Sequence, residues 1–176
     1  MRPGSRPHTN CTVRHSSRPQ VKLTPNSIQG DATTQHAAVR LPRMPVSTSD
    51  RVAIEELIAM HGHVTDDGQV DRYDELFTDD VIYDVTDFGL GELRGIAAIR
   101  DAGWALGDAN PVGHHVTNIV MEDLGDGVVT ARSKGIGVMA DGTTGSLTYE
   151  DLIERRRGQW RIRRRKVVRR RRPLGA

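Results

Sequence analysis

The chain has 176 residues, enough for one domain of ordinary size with a real hydrophobic core. Aromatic residues make up only 4%, so that core must rest on Val, Ile, Leu, Met and Ala. The single cysteine, Cys11, excludes an intrachain disulfide and a cysteine-built zinc site, and no apolar run nears the roughly 18 residues of a membrane span.

The net charge of +2 hides an asymmetry. Residues 50–154 carry 22 acidic and 6 basic side chains, whereas residues 155–172 carry 12 Arg or Lys. The lone cysteine fits a reducing, cytoplasmic compartment. The N-terminal arginines precede no hydrophobic h-region, so no secretory signal is read.

Residues 1–46 are rich in Pro, Ser, Thr, Asn, Arg and Gln without periodicity, and read as a disordered extension. Met44 stands just before a helix start, so the natural chain is expected to begin there. A domain over residues 47–168 and a basic tail over 169–176 follow.

The domain opens with "STSDRVAIEELIAMHGHV", where Ser47 and Asp50 have the spacing of a capping box. Ile54, Leu57, Ile58, His61 and Val64 then recur at i, i+3, i+4, i+7 and predict an amphipathic helix. "VDRYDELF" predicts a second, short helix, "DDVIYDV" a strand and "GIAAIRDAGWAL" (95–106) a helix of modest amphipathicity. Four strand-like runs come after it: "HHVTNIVME", "GVVTARSKGIGVM", "GSLTYEDLIE" and "QWRIRRRKVV". The turns between them contain "GDG", "DG" and "RG", which are hairpin signals. The pattern is α+β, an antiparallel meander with helices over one face of a curved sheet. It contains no parallel crossover. "GLGELRG" (89–95) lacks the strand-to-helix context of a dinucleotide fingerprint and reads as a loop.

Two histidines head the "HHVTN" strand. On a regular strand His114 shares a face with Val116, Asn118 and Val120, while His115 shares the other with Thr117, Ile119 and Met121. Both faces are mixed, so alternation does not choose between them. A hydrogen-bonded structural histidine is the competing reading for each. A neutral imidazole takes a proton near pH 7 when a partner fixes its tautomer. "DVTD" (84–87) and "DDG" (66–68) match neither a facial triad nor a calcium loop, so no metal is expected.

"VTDDGQVDRYDELFTDDVIYD", "HHVTN" and "YEDLIERRRGQWRIRRRKVV" together resemble the SnoaL-like group of the nuclear transport factor 2-like superfamily. The resemblance spans about residues 50–168. It implies a cone of bent mixed or antiparallel sheet, closed by helices around one apolar pocket. Its scytalone dehydratase and hexachlorocyclohexane dehydrochlorinase members align their catalytic aspartate with Asp66 and their catalytic histidine with His114. The dehydratase's two tyrosines fall near Thr65 and Val85 and its second histidine near Val138, so its full constellation is not reproduced. On the residues alone, Asp67 competes with Asp66, an acidic pair before glycine being a common solvated helix end. The resemblance prefers Asp66, and leaves His115 to packing or surface.

The resemblance implies a cofactor-free enzyme of dehydration, elimination, isomerisation or cyclisation, acting on a small hydrophobic carbonyl or polycyclic molecule. A non-catalytic ligand-binding protein or an assembly subunit on the same fold is the alternative. His61, Tyr83, Trp104, Asn118 and Tyr149 are candidate pocket residues, each also readable as packing. A homo-oligomer, dimer or trimer, is expected. "RRRGQWRIRRRKVVRRRR" lacks interleaved aromatics and reads as a last strand with a charged outer face plus a solvated tail, not a specific nucleic-acid site.

Overall fold

The structure is a computed structural model that describes residues 45–173. The expected extension over 1–46 and the start at Met44 therefore lie almost entirely outside the described residues. Val46, which is described, packs against the core one residue before the capping serine.

Helix α1 runs Thr48–Asp66, and Ser47 caps it by accepting from the Asp50 amide at 3.1 Å. Ile54, Leu57, Ile58, His61 and Val64 are all buried on its sheet-facing stripe. The expected second helix is a 3₁₀ turn, Val70–Glu75, and Phe77 already opens strand β1 (Phe77–Asp84). Strand β2 (Glu92–Arg94) lies inside the segment expected to be loop. It pairs antiparallel with β1, Leu93 opposite Tyr83, after a connection over residues 85–91 that holds the 3₁₀ turn Thr86–Phe88, and a three-residue strand leaves too weak a pattern to read.

Helix α2 (Ile96–Leu106) precedes four long strands: β3 (Gly113–Gly125), β4 (Val128–Val138), β5 (Thr144–Arg156) and β6 (Gln159–Arg169). At the β5–β6 turn Arg157 and Gly158 both have positive φ, 50° and 81°, the conformation that the tightest hairpins require. The sheet order is β2-β1-β6-β5-β4-β3, a curved open sheet. All pairings are antiparallel except β1 with β6. That parallel pair corrects the expectation of no parallel crossover. The meander β3 to β6 returns its last strand beside the first, and local sequence carries no record of a pairing this distant.

Two bulges decide which side chains face the core. In β3, Asn118 and Ile119 stand opposite the single residue Ser133, and Asn118 takes φ 54°. The inward set is therefore His114, Val116, Ile119 and Met121, not either of the two regular alternations. In β6, Arg163 is the extra residue between the pairs Ile162–Ile153 and Arg164–Leu152. Arg165 and Val167 thereby follow Trp160 and Ile162 into the interior.

Gly62 seats α1 against β3. A Cβ there would lie 2.6 Å from the His114 carbonyl oxygen, a backbone atom with little freedom to yield. Gly62→Ala is therefore expected to destabilise the domain by about 1–3 kcal/mol, although alanine favours a helix by ~1 kcal/mol. Gly103→Ala in α2 is the control, because nothing lies within 4 Å of its added methyl. It should stabilise by about 0.5–1 kcal/mol. Urea unfolding of both variants checks the pair, and equal effects would contradict the close approach.

Candidate active site

Asp66 is the last residue of α1 and His114 the second of β3, and the Gly62 contact brings these ends together. Asp66 Oδ1 lies 2.5 Å from His114 Nδ1, and its Oδ2 accepts from the His114 backbone amide at 2.8 Å. Both carboxylate oxygens thus hold one residue. An ionised carboxylate only accepts, so this contact suits the neutral tautomer with its proton on Nδ1, which has its lone pair on Nε2. The side chains are 13% and 23% exposed, shielded yet reachable. Asp67 instead caps α1 with its backbone amide, which donates to the His63 carbonyl.

His61 lies one turn and a half before Asp66 and is buried. Its ring centroid is 5.9 Å from those of His114 and Phe77, and 6.1 Å from those of Tyr83 and Tyr149. The Tyr83 hydroxyl approaches its Nε2 at 3.4 Å. Burial, then the positive charge of Arg165 and the neighbouring His114, holds the His61 pKa well below its ordinary value. His61 is thus neutral at pH 7. Burial likewise raises the Tyr83 and Tyr149 phenols, which stay protonated.

A pH dependence follows with a definite sign. Below the ordinary histidine value of 6.5 the unfolded chain gains a proton at residue 61 that the native state refuses. His61's contribution is thus full above pH 6.5 and falls as pH drops, by about 1.4 kcal/mol per unit until its depressed native pKa is reached. His61→Phe should remove that slope from a pH series of urea unfolding curves. An unchanged slope would show that other groups carry it.

A further pair lies on the sheet's inner face. Arg165 and Asp151 are direct cross-strand partners, joined by Nε–Oδ1 and Nη2–Oδ2 bonds of 2.8 Å each and fully buried. Burial works against the guanidinium charge, and the Asp151 carboxylate more than offsets it, so the Arg165 pKa lies above its ordinary value. The guanidinium stacks 4.5 Å over the Tyr149 ring. Tyr83 is its neighbour on the other side in the β1–β6 register. The sequence hides this pair because Arg165 sits in an arginine run. Its signal is Asp151 itself, an acid alternating with Tyr149 and Ile153.

The structure brings His61, Tyr83, Asp66, His114 and Tyr149 together and leaves two expected pocket residues apart. Asn118 is exposed at the β3 bulge, where it accepts from Thr117 Oγ1 at 2.8 Å. The bulge turns it away from the face that His114 occupies. Trp104 is 64% exposed, because α2 buries only Ile99 fully and presents its other side outward. With Asp66, Tyr73 and Val112 it borders a surface groove of about 360 Å³.

The arginines around Arg165 also have partners. Arg164 reaches Glu92 at 3.0 Å, Arg155 pairs with Asp50, and Arg161 Nε donates to the Asp74 carbonyl. Strand β6 extends to Arg169, one residue beyond the expected domain end, and the Arg169 amide donates to Asp87. Among the described residues, no group of three metal-ligating side chains is placed to hold a metal ion, and no helix is long and apolar enough to cross a membrane.

An open curved sheet of this order, with α1 and α2 as its only α-helices among the described residues, defines the cystatin-like, nuclear transport factor 2-like class of fold. Residues 46–166 match the SnoaL-like domain, and the chain belongs to the SnoaL-like family. Among solved structures it is similar to a protein of unknown function from Mycobacterium tuberculosis, at 24% identity and TM-score 0.64, covering 72% of this chain and 80% of that one. It is also similar to a cystatin-like protein of unknown function from Nostoc punctiforme (20%, TM-score 0.62, 74% and 97% covered). A hexachlorocyclohexane dehydrochlorinase from Novosphingobium barchaimii is similar at 21%, TM-score 0.59, with 69% and 86% covered. At such identities these likenesses concern the fold. No curated protein matches the sequence.

Proposed function

We propose that this chain is a cofactor-free enzyme of proton transfer, in which His114 is the general base and Asp66 its positioning partner. The supporting observation is the 2.5 Å contact between Asp66 Oδ1 and His114 Nδ1, doubled by the amide bond to Oδ2. It holds the imidazole in the tautomer that leaves Nε2 free to accept, and the carboxylate stabilises the imidazolium once formed. The substrate is a small hydrophobic carbonyl or polycyclic compound with an acidic C–H bond. Loss of that proton leads to dehydration or another elimination, isomerisation or cyclisation. A dehydrochlorinase of similar fold is consistent with a proton-abstracting site here. We place the protein in a reducing cytoplasm, as a homo-oligomer.

A thermal-shift screen of hydrophobic ketones, polyketide-like aromatics and steroids supplies a ligand. Conversion by the wild type and not by His114→Gln supports the reading. A stabilising ligand that neither protein converts favours a binding protein on the same fold.

A further inference from the structure

Apolar surface and unmatched positive charge meet at one end of the sheet. Strands β1, β4 and β6 finish there and β3 and β5 begin there, with Asp84 beside Lys166, Leu147 beside Arg169, and Val138 beside both Thr144 and Gly113. Two segments leave the sheet at this end. One is the β1–β2 connection over residues 85–91, and the other is the run of four arginines over residues 169–172 that ends β6.

The two segments are fastened to each other. The Arg169 amide donates to Asp87 Oδ2, and Arg171 Nη2 donates to the Asp87 carbonyl, at 3.0 Å each. Arg169 Cζ lies over the Phe88 ring, 5.7 Å from its centroid. The connection projects from the body, since a Cβ added at Gly89 or Gly91 would meet nothing within 4 Å. On it Phe88 and Leu90 are each 44% exposed, two neighbouring apolar side chains left in water.

Charge on the two segments is one-sided. Arg169, Arg170, Arg171 and Arg172 are all exposed, and Asp87 is the one carboxylate within either segment. The flanking acids Asp84 and Glu92 are matched by Arg164. Among the described residues, the side chains of Arg170 and Arg172 have no hydrogen-bond or ion-pair partner. These cations therefore serve neither the fold nor an internal ion pair.

We propose that this end of the sheet docks on an anionic lipid surface. Phe88 and Leu90 enter the boundary between headgroups and acyl chains, and the four arginines pair with the negative headgroups. Exposed apolar side chains by themselves bind such a surface weakly, and arginines by themselves adhere to any polyanion. Together they select a surface that is both apolar and negative. A nucleic acid fits less well, because Leu90 has no role there and the Arg169 guanidinium covers one face of the Phe88 ring, which is then no open stacking platform. The contact is adhesion and not insertion, since no described helix is long and apolar enough to cross a membrane. His114 begins its strand at this same end, in register with Gly137. A docked molecule thus brings the Asp66–His114 end towards lipid, where a small hydrophobic substrate concentrates. That consequence rests on the base reading, and the docking does not.

Co-sedimentation of the full chain with vesicles tests the proposal, using phosphatidylcholine alone and an equal mixture of phosphatidylcholine and phosphatidylserine. The wild type should bind the mixed vesicles, bind phosphatidylcholine alone at least about tenfold more weakly, and be released by high salt. Arg170→Gln/Arg172→Gln removes two side chains without partners and should weaken binding by about tenfold or more. Phe88→Ser/Leu90→Ser should weaken it by a similar factor of about ten, with urea unfolding confirming that both variants remain folded. No binding to the mixed vesicles, equal binding to phosphatidylcholine alone, or undiminished binding by either folded variant would overturn the proposal. Loss in the arginine variant with none in the Phe88/Leu90 variant is the signature of adhesion to any polyanion, nucleic acid included, and overturns it as well. His114→Gln should bind vesicles as the wild type does, so failure of docking and failure of the base reading are seen separately.

Discussion

Asp151→Asn is expected to lower the unfolding free energy by about 3–5 kcal/mol, the largest stability effect of any single substitution considered. The carboxylate accepts two 2.8 Å bonds from a guanidinium with no solvent exposure, and asparagine returns one acceptor and no charge. A buried cation without its counter-ion is the costly state. The pair itself is not net stabilising on that account, because desolvation of both ions opposes their attraction. Asp151→Leu/Arg165→Met should accordingly recover most of the loss. Urea unfolding of the single and double variants reads the difference. A single variant within ~1 kcal/mol of wild type would mean that the pair is not sealed from water.

The largest effect on activity is expected at His114. His114→Gln keeps much of the side-chain volume and a polar end but cannot accept a proton at neutral pH, and should reduce turnover by about 10²–10⁴-fold. Asp66→Asn keeps the shape of the carboxylate but can offer its amide nitrogen to Nδ1, stabilising the wrong tautomer. It should fall in the same range. Because one residue acts through the other, the double variant should be little worse than either single one. Ligand affinity should change far less, since apolar walls supply most of it. Additive losses in the double variant would show two independent roles.

Much of this site is legible in the sequence, and the rest fails for identifiable reasons. The Ser47 cap, the α1 stripe that includes His61, and the meander with its glycine turns follow from local spacing. Asp66 is a different case. Helical periodicity places it at the edge of the apolar face, and only the family resemblance separates it from Asp67. Strand parity is where local reading breaks. A strand of period two predicts the facing of each residue until a bulge inserts one extra, after which every later side chain changes sides. Asn118 is such a residue, and it is turned outward while Ile119 and Met121 pack against the core. Arg163 is another, and it sends Arg165 into the interior from a run that reads as a charged surface. Trp104 shows a further limit, because a large aromatic on a weakly amphipathic helix does not say which neighbour covers it.

The central claim is that His114 takes a proton from bound substrate. Its most direct measurement is deuterium exchange at the acidic C–H position of a converted ligand, followed by NMR in heavy water. The exchange reports proton abstraction before any later bond breaks. The account predicts exchange catalysed by the wild type and reduced by about 10²-fold or more in His114→Gln with the ligand still bound. Exchange at the wild-type rate in His114→Gln would contradict it.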